Sequence, residues 1–153
     1  MVVYNMKNKS FKINDYKYNR HAVYKLQYHL VVVTKYRRPV LNNELSIKLK
    51  DIATNVFETN WKCDILEFNT DLDHVHILFE APPQVQLSKL INNFKTVSSR
   101  LLRKQFPDFL SNYNWKPYFW SDTYFISSVS ETSEETIRAY IQNQRTVSSL
   151  STG

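Results

Sequence analysis

The chain of 153 residues is long enough for one domain with a buried core, and 42% of its residues are hydrophobic. Its single cysteine, Cys63, excludes an internal disulfide and a zinc site built from cysteines, and it suits a reducing cytoplasm. The sequence has no run of apolar residues long enough to cross a membrane and no apolar signal segment after its start. Composition therefore predicts a soluble, cytoplasmic protein.

The formal net charge of +6 is unevenly distributed, because residues 1–50 carry +9 and residues 51–153 carry −3. A basic half beside a mildly acidic half predicts a surface for a polyanion that is separate from a site for a cation. A solvated basic tail is the alternative. Residues 1–20 are rich in Lys, Asn and Tyr without periodicity, and we interpret them as a loose basic N-terminal arm.

The spacing of apolar residues predicts the following elements in chain order: a strand over 24–34, a helix near 43–59, strands over 61–68 and 74–80, a helix near 86–105, a strand over 124–129, and a helix that follows Thr132 and ends near Thr146. Thr132 is the expected cap of the last helix, with Glu135 reaching back to it. The order β-α-β-β-α-β indicates an α+β, ferredoxin-like split βαβ fold. We expect an antiparallel sheet with helices on one face, plus the C-terminal helix.

Two histidines in the strand over 74–80 are the strongest local signal. Because side chains alternate along a strand, His74 and His76 project from one face while Val75, Ile77 and Phe79 enter the core. Two imidazoles at this spacing can chelate one cation. Two half-exposed surface histidines are the alternative. The zinc-protease pattern His-Glu-x-x-His and a Cys-x-x-Cys pair are both absent.

On the last helix, Tyr140 and Gln144 lie one turn apart on a stripe with Ile137 and Ile141. The simplest interpretation is that both extend the packing face of the helix. The functional alternative is that the Gln144 carbonyl is a third ligand for a hard cation and holds it near the Tyr140 hydroxyl. A cation neutralises phosphate oxygens and favours a phenolate, so this pair could attack a phosphodiester. The bond energy would then be retained in a phosphotyrosine, which suits strand exchange.

Seven segments in this order resemble one known family, although each is weak alone. They are Asp73-His74-Val75-His76 and the stretches 24–31, 34–41, 87–100, 119–121, 124–129 and 136–144. The chain over 21–147 is similar to the single-tyrosine HUH transposases, the TnpA type of insertion sequences that move as single-stranded DNA. The resemblance places a basic arm at 1–20 and a short tail at 148–153 outside the family domain.

The resemblance implies that Tyr140 is the nucleophile and that His74, His76 and Gln144 bind the metal, Mg²⁺ or Mn²⁺. The products would be a 5′-phosphotyrosine and a free 3′-hydroxyl. Partners would be single-stranded DNA with hairpins at the element ends and a second copy of the chain, since members of the family are homodimers. Ser130 and Thr96 stand where family members usually have Gly.

Two basic groups are candidate DNA contacts by their charge and spacing. They are Lys35, Arg37 and Arg38 in one turn, and Lys89, Lys95, Arg100 and Arg103 on or near the polar stripe of the second helix. A solvated helix face is the alternative for the second group. Three other functions stay open: a domesticated relative acting on palindromic repeats, a replication-type nickase, and a non-catalytic single-strand-binding module. Only the last of these predicts that Tyr140→Phe changes nothing.

Overall fold

A computed structural model describes residues 16–113, 118–129, 133–144 and 146 of the chain. Ser130, Thr132, the predicted tail over 148–153 and most of the predicted arm lie outside these ranges. Within them, no helix is both long and apolar enough to span a membrane.

Six strands and four α-helices make up the described chain. In chain order they are β1 (Lys17–Tyr18), β2 (Val23–Tyr24), β3 (Gln27–Val33), α1 (Asn43–Thr54), β4 (Asp64–Asp71), β5 (His74–Glu80), α2 (Leu87–Gln105), α3 (Pro107–Ser111), β6 (Phe125–Ser128) and α4 (Glu134–Gln142). The strands β1 and β2 form a separate short antiparallel ladder.

The main sheet has the strand order β4-β5-β3-β6, and every neighbouring pair is antiparallel. Because β3 and β4 both run opposite to β5, they are parallel to each other, and α1 connects them across the inserted strand. The unit β5-α2-β6 encloses β3 in the same way. These two interleaved units confirm the predicted ferredoxin-like split βαβ fold.

The core lies between one face of the sheet and the helices α1 and α2. Its fully buried members include Leu45 and Leu49 of α1, Leu90, Ile91 and Phe94 of α2, and Val75, Ile77 and Phe79 of β5. The helix α1 begins after Asn42, whose side chain accepts a hydrogen bond from the Leu45 amide. The predicted placement of these two helices on one face is therefore confirmed.

The first predicted strand is interrupted, because β2 ends at Tyr24 and β3 begins at Gln27. The short ladder also orders residues 17–18, which were expected in a loose arm. Lys17 forms an ion pair with Asp64 and approaches the nearly buried carboxylate of Glu80 to 3.7 Å. A buried carboxylate needs such a partner, which explains why this part of the arm is held against the sheet.

The strand β4 begins three residues later than predicted and continues to Asp71. After α1, a π-helical segment (Asn55–Asn60) extends the helix, and the Cys63 amide donates to the Phe57 carbonyl. The Trp61 indole donates to Asn93 of α2. Residues 61–63 therefore close the helix end instead of starting the strand.

The last two helices also differ from the prediction. Pro107 ends α2 as expected, but it then begins α3, since a proline is accommodated in the first helical turn. The N-cap of α4 is Ser133, which accepts a hydrogen bond from the Thr136 amide, so the assignment of Thr132 as cap was wrong. The helix α4 ends at Gln142, four residues before the predicted end.

Candidate active site

His74 and His76 lie on the face of the sheet opposite the core, as the alternation of β5 predicted. Their intervening neighbours Val75 and Ile77 are fully buried in the core, whereas both imidazoles are partly exposed. A pair of imidazoles on one accessible face has the donor set that suits a divalent transition cation. Within the described residues, no three His, Cys, Asp or Glu side chains converge on one point.

The carboxylate of Asp73 holds the first histidine of the pair. Its Oδ1 lies 2.8 Å from Nδ1 of His74, and its Oδ2 accepts from Nε of Arg37 at 3.2 Å. The bond from His74 lowers the pKa of Asp73, and Arg37 adds to this against the opposing effect of burial. With Nδ1 occupied, Nε2 of His74 is the nitrogen available to a cation, as in carboxylate–histidine–metal arrangements.

A tight turn brings Arg37 to this carboxylate. Tyr36 and Arg37 both have left-handed backbone angles, with φ of 57° and 54°. Such angles are unfavourable for residues with a Cβ, at a cost of about 1 kcal/mol or more each. Thr34 compensates, because its backbone amide donates to the Asp73 carbonyl and its hydroxyl donates to the Arg38 carbonyl. The predicted basic turn therefore supports the histidine site as well as carrying charge.

His76 has a different partner, His29 of β3. Nδ1 of His29 and Nε2 of His76 are 2.8 Å apart, which is a hydrogen bond between the two rings. Burial lowers the pKa of His76, and the nearby His29 lowers it further. The neutral ring, which can bind a metal, is therefore the stable form of His76 at neutral pH.

Tyr140 lies on the histidine face through contacts with β6 and the segment before it. Its ring centroid is 5.4 Å from that of Phe125, and its hydroxyl is hydrogen-bonded to Thr123 at 3.0 Å. Burial raises the pKa of Tyr140, while the hydrogen bond with Thr123 lowers it. The resting phenol is therefore protonated at neutral pH and needs a further cationic influence to ionise.

The strand register relates Tyr140 to the histidines. Phe125 is directly opposite Val31, and Val31 is directly opposite His76, so the three side chains form one row on the same face. Adjacent strands are about 4.8 Å apart, which puts the backbones of Phe125 and His76 about 10 Å from each other. The Tyr140 ring therefore packs two strands away from the imidazole pair, over the same surface.

Gln144 lines a cavity next to the segment that precedes β6. The cavity has a volume of about 320 Å³ and is lined by Lys35, Tyr36, Ser121, Asp122, Thr123, Asn143 and Gln144. Gln144 follows the end of α4, and its side-chain amide donates to the Tyr140 carbonyl at 3.3 Å. Among the described residues, no hydrogen bond joins Tyr140 or Gln144 to His74 or His76. The role of Gln144 as a metal ligand therefore stays a prediction.

The basic candidates fall into two groups in the structure. Lys95, Arg100 and Arg103 of α2 line an open groove with the exposed ring of Tyr118, whereas Lys89 is exposed outside that groove. Lys95 also has an internal role, because its ammonium donates to the carbonyls of Ser121 and Asp122. Burial lowers the pKa of Lys95, with Asp122 opposing the effect.

Of the remaining basic candidates, Lys35 lines the cavity beside Gln144. Lys35 pairs with Asp122 at 3.3 Å, and its ammonium lies over the rings of Tyr36 and Tyr118. The guanidinium of Arg38 also lies over the ring of Tyr36. These contacts form a cluster of cations and aromatic rings, of which Lys35 and Tyr36 line the cavity.

Three residues of the site received no role from the sequence: His29, Asp73 and Thr123. His29 lies on the non-core face of β3, and both histidines of β5 lie on the same face of the sheet. Pairing those two strands side by side would have brought the imidazoles together. Asp73 was recognised as part of the histidine motif, but its contact with His74 required the turn geometry. No local pattern marks Thr123.

The comparisons with known proteins identify the family of this chain. A family model described as IS200-like transposase matches residues 22–144. The ISDra2 transposase TnpA of Deinococcus radiodurans is 33% identical over 130 residues, which cover 85% of this chain and 91% of that protein. The transposase of insertion sequence IS200 from Salmonella typhimurium is 32% identical over 133 residues, covering 86% and 85%.

The fold of the chain is also similar to that of a solved structure. The crystal structure of a transposase from Deinococcus radiodurans superposes with a TM-score of 0.78 at 34% identity, covering 86% of this chain and 99% of that one. The fold and the match define the class of the protein as a DNA strand transferase. The chain belongs to the IS200-like transposase family. The resemblance drawn from the sequence motifs is confirmed.

Proposed function

We propose that this chain is a metal-dependent transposase of single-stranded DNA, which cleaves and rejoins element ends through a 5′-phosphotyrosine at Tyr140. One observation supports this most directly: Tyr140 packs on Phe125, which shares a cross-strand row with His76. This packing places the tyrosine ring on the same sheet face as the histidine pair. Membership of a transposase family supports the same assignment.

In this proposal His74 and His76 would hold Mg²⁺ or Mn²⁺, with Gln144 as the third protein ligand. The donor set fits, because Asp73 leaves Nε2 of His74 free and an amide oxygen is a good ligand for a hard cation. A cation bound there would neutralise the phosphate oxygens as charge develops on them.

Tyr140 supplies the nucleophile. Its phenol loses a proton, its oxygen forms a bond to phosphorus, and the bond from phosphorus to the 3′ oxygen breaks to give a free 3′-hydroxyl. The DNA strand stays attached through its 5′-phosphate. A 3′-hydroxyl can then attack the phosphotyrosine and release Tyr140, so the number of phosphodiester bonds is conserved and rejoining needs no ATP. Thr123 assists by stabilising the phenolate through its hydrogen bond.

The DNA surface in this proposal combines the groove of α2 with the cavity beside Tyr140. Arg100 and Arg103 bind phosphates, and the exposed ring of Tyr118 offers a stacking surface for a base. Lys95 instead holds the segment over 121–122, which leads directly to Thr123. We propose that a hairpin at the element end binds this surface while its single-stranded flank reaches Tyr140.

The test is formation of a covalent adduct. The chain is incubated with a labelled single-stranded oligonucleotide that carries a hairpin and its flank, with Mn²⁺ or with chelator, and the products are separated on a denaturing gel. We expect an adduct with the wild type and Mn²⁺, none with Tyr140→Phe or His76→Ala, and little with chelator. His21→Ala removes an exposed histidine outside the site and should behave as wild type. An equal adduct from Tyr140→Phe would reject the nucleophile.

A homodimer is part of the same proposal, with α4 of one subunit able to complete the site of its partner. Tyr140→Phe and His76→Ala each lack one half of the site, so the two variants are mixed and assayed together. An adduct from the mixture, absent from either variant alone, means that the tyrosine acts across the dimer. No adduct from a mixture shown to form mixed dimers means that each α4 acts on its own sheet.

A further inference from the structure

Three of the four histidines in the chain lie on one face of the sheet, and two of them touch. The rings of His29 and His76 are tilted by only 14°, and their centroids are 5.0 Å apart. Nδ1 of His29 and Nε2 of His76 are only 2.8 Å apart, although the ring centroids are 5.0 Å apart. The two nearly parallel rings therefore meet edge to edge and do not stack face to face. This geometry is a ring-to-ring hydrogen bond in a shared plane.

We propose that His29 is a positioning residue for the cation site: it accepts the Nε2–H of His76 and thereby leaves Nδ1 of His76 as the nitrogen that binds the metal. The inference rests on the proposed function, since it concerns the same histidine pair. The reason is that an imidazole which donates from one nitrogen has its lone pair on the other.

Each histidine of the pair then has one ring nitrogen in a hydrogen bond and the other nitrogen available to the metal. Asp73 occupies Nδ1 of His74 and leaves Nε2, whereas His29 occupies Nε2 of His76 and leaves Nδ1. Each partner also prevents its imidazole from rotating, which lowers the entropy that cation binding must overcome. Partners of this kind typically change metal affinity by about 10- to 100-fold.

A direct metal-binding role for His29 is the competing explanation. The three imidazoles His29, His74 and His76 do not converge as one metal site within the described chain, and the nitrogen of His29 nearest to His76 is already engaged. The strand register agrees, because His29 is opposite Leu78 and therefore diagonal to His76, further from His74. The contacts therefore favour support of His76 over a third imidazole ligand.

The test measures Mn²⁺ affinity of the full chain without DNA, by isothermal titration calorimetry. We expect His29→Ala to weaken binding by about 10- to 100-fold. His29→Asn should restore most of it, because an Asn amide oxygen lies near the position of the histidine Nδ1 and can accept the same hydrogen. His21→Ala is the matched control and should bind as the wild type. Circular dichroism confirms that each variant is folded.

Two results would overturn the proposal: a folded His29→Ala variant that binds Mn²⁺ as tightly as the wild type, or a folded His29→Asn variant as weak as His29→Ala. The second result would mean that the imidazole itself binds the metal. If His76→Ala binds Mn²⁺ as tightly as the wild type, that result rejects the cation site of the proposed function itself. Nitrogen NMR of the wild type is independent of any variant, and a proton on Nδ1 of His76 would also overturn the proposal.

Discussion

The hydroxyl of Tyr140 is hydrogen-bonded to Thr123, 3.0 Å away, on the face of the sheet that carries His74 and His76. Thr123, two positions before β6, therefore determines where the proposed nucleophile lies. Because the bond lowers the pKa of Tyr140 against the effect of burial, it also makes the phenol easier to ionise.

Thr123→Val should therefore slow adduct formation. It keeps the shape of the side chain but removes the hydroxyl, so the pKa of Tyr140 rises further and the ring is held less firmly. A hydrogen bond contributes about 1 kcal/mol, which corresponds to a rate about fivefold lower at neutral pH. Single-turnover cleavage measures this, and Thr123→Ser should retain the wild-type rate. A Thr123→Val enzyme as fast as the wild type would show that the contact has no part in the reaction.

Asp73→Asn should weaken cation binding without unfolding the protein. The substitution keeps the size of the side chain but removes the charge that orients His74 and pairs with Arg37. We expect Mn²⁺ affinity to fall by about tenfold or more. Calorimetric titration is the measurement, and Asp51→Asn makes the same charge change at an exposed position of α1. Equal losses from both variants would indicate a general effect of net charge.

Removing two arginines from the groove of α2 should reduce DNA affinity and its dependence on salt. Each phosphate contact with a single strand contributes about 0.7 to the slope of log affinity against log salt. The double variant Arg100→Ala with Arg103→Ala should therefore lower that slope by about 1 to 1.5. The double variant Lys50→Ala with Lys104→Ala removes the same charge from exposed positions outside the groove lining. If both lower the slope equally, the groove is not the contact surface.

Cys63 should make the stability of the fold sensitive to high pH. Burial raises the pKa of its thiol from 9.0 to about 11. The unfolded thiol therefore ionises first, so the contribution of Cys63 is complete below pH 9 and is lost as the pH rises to about 11. Urea unfolding at several pH values should show that the difference in unfolding free energy between wild type and Cys63→Ala shrinks over this range. A difference that stays constant from pH 8 to 11 would contradict the shift.

Several features of the fold could be predicted because they depend on contacts between near neighbours in the chain. The alternation of Val75, Ile77 and Phe79 with two histidines determined both the bounds of β5 and the face on which the imidazoles lie. Helical spacing likewise located α1 and α2. Element ends were less predictable, because the indole of Trp61, which follows the helix end, donates to Asn93, 32 positions away in the chain.

The sequence by itself determined the fold class and the family, and it predicted the histidine pair and the tyrosine as site residues, because periodicity and the order of motifs are properties of the chain alone. Only the tertiary structure decided which groups support them: Asp73 on His74, His29 on His76 and Thr123 on Tyr140. Strand pairing sets the second of these contacts, since the β3–β5 register brings His29 and His76, 47 positions apart in the chain, within 2.8 Å. A hydrogen bond depends on distance and angle in space, and spacing along the chain specifies neither.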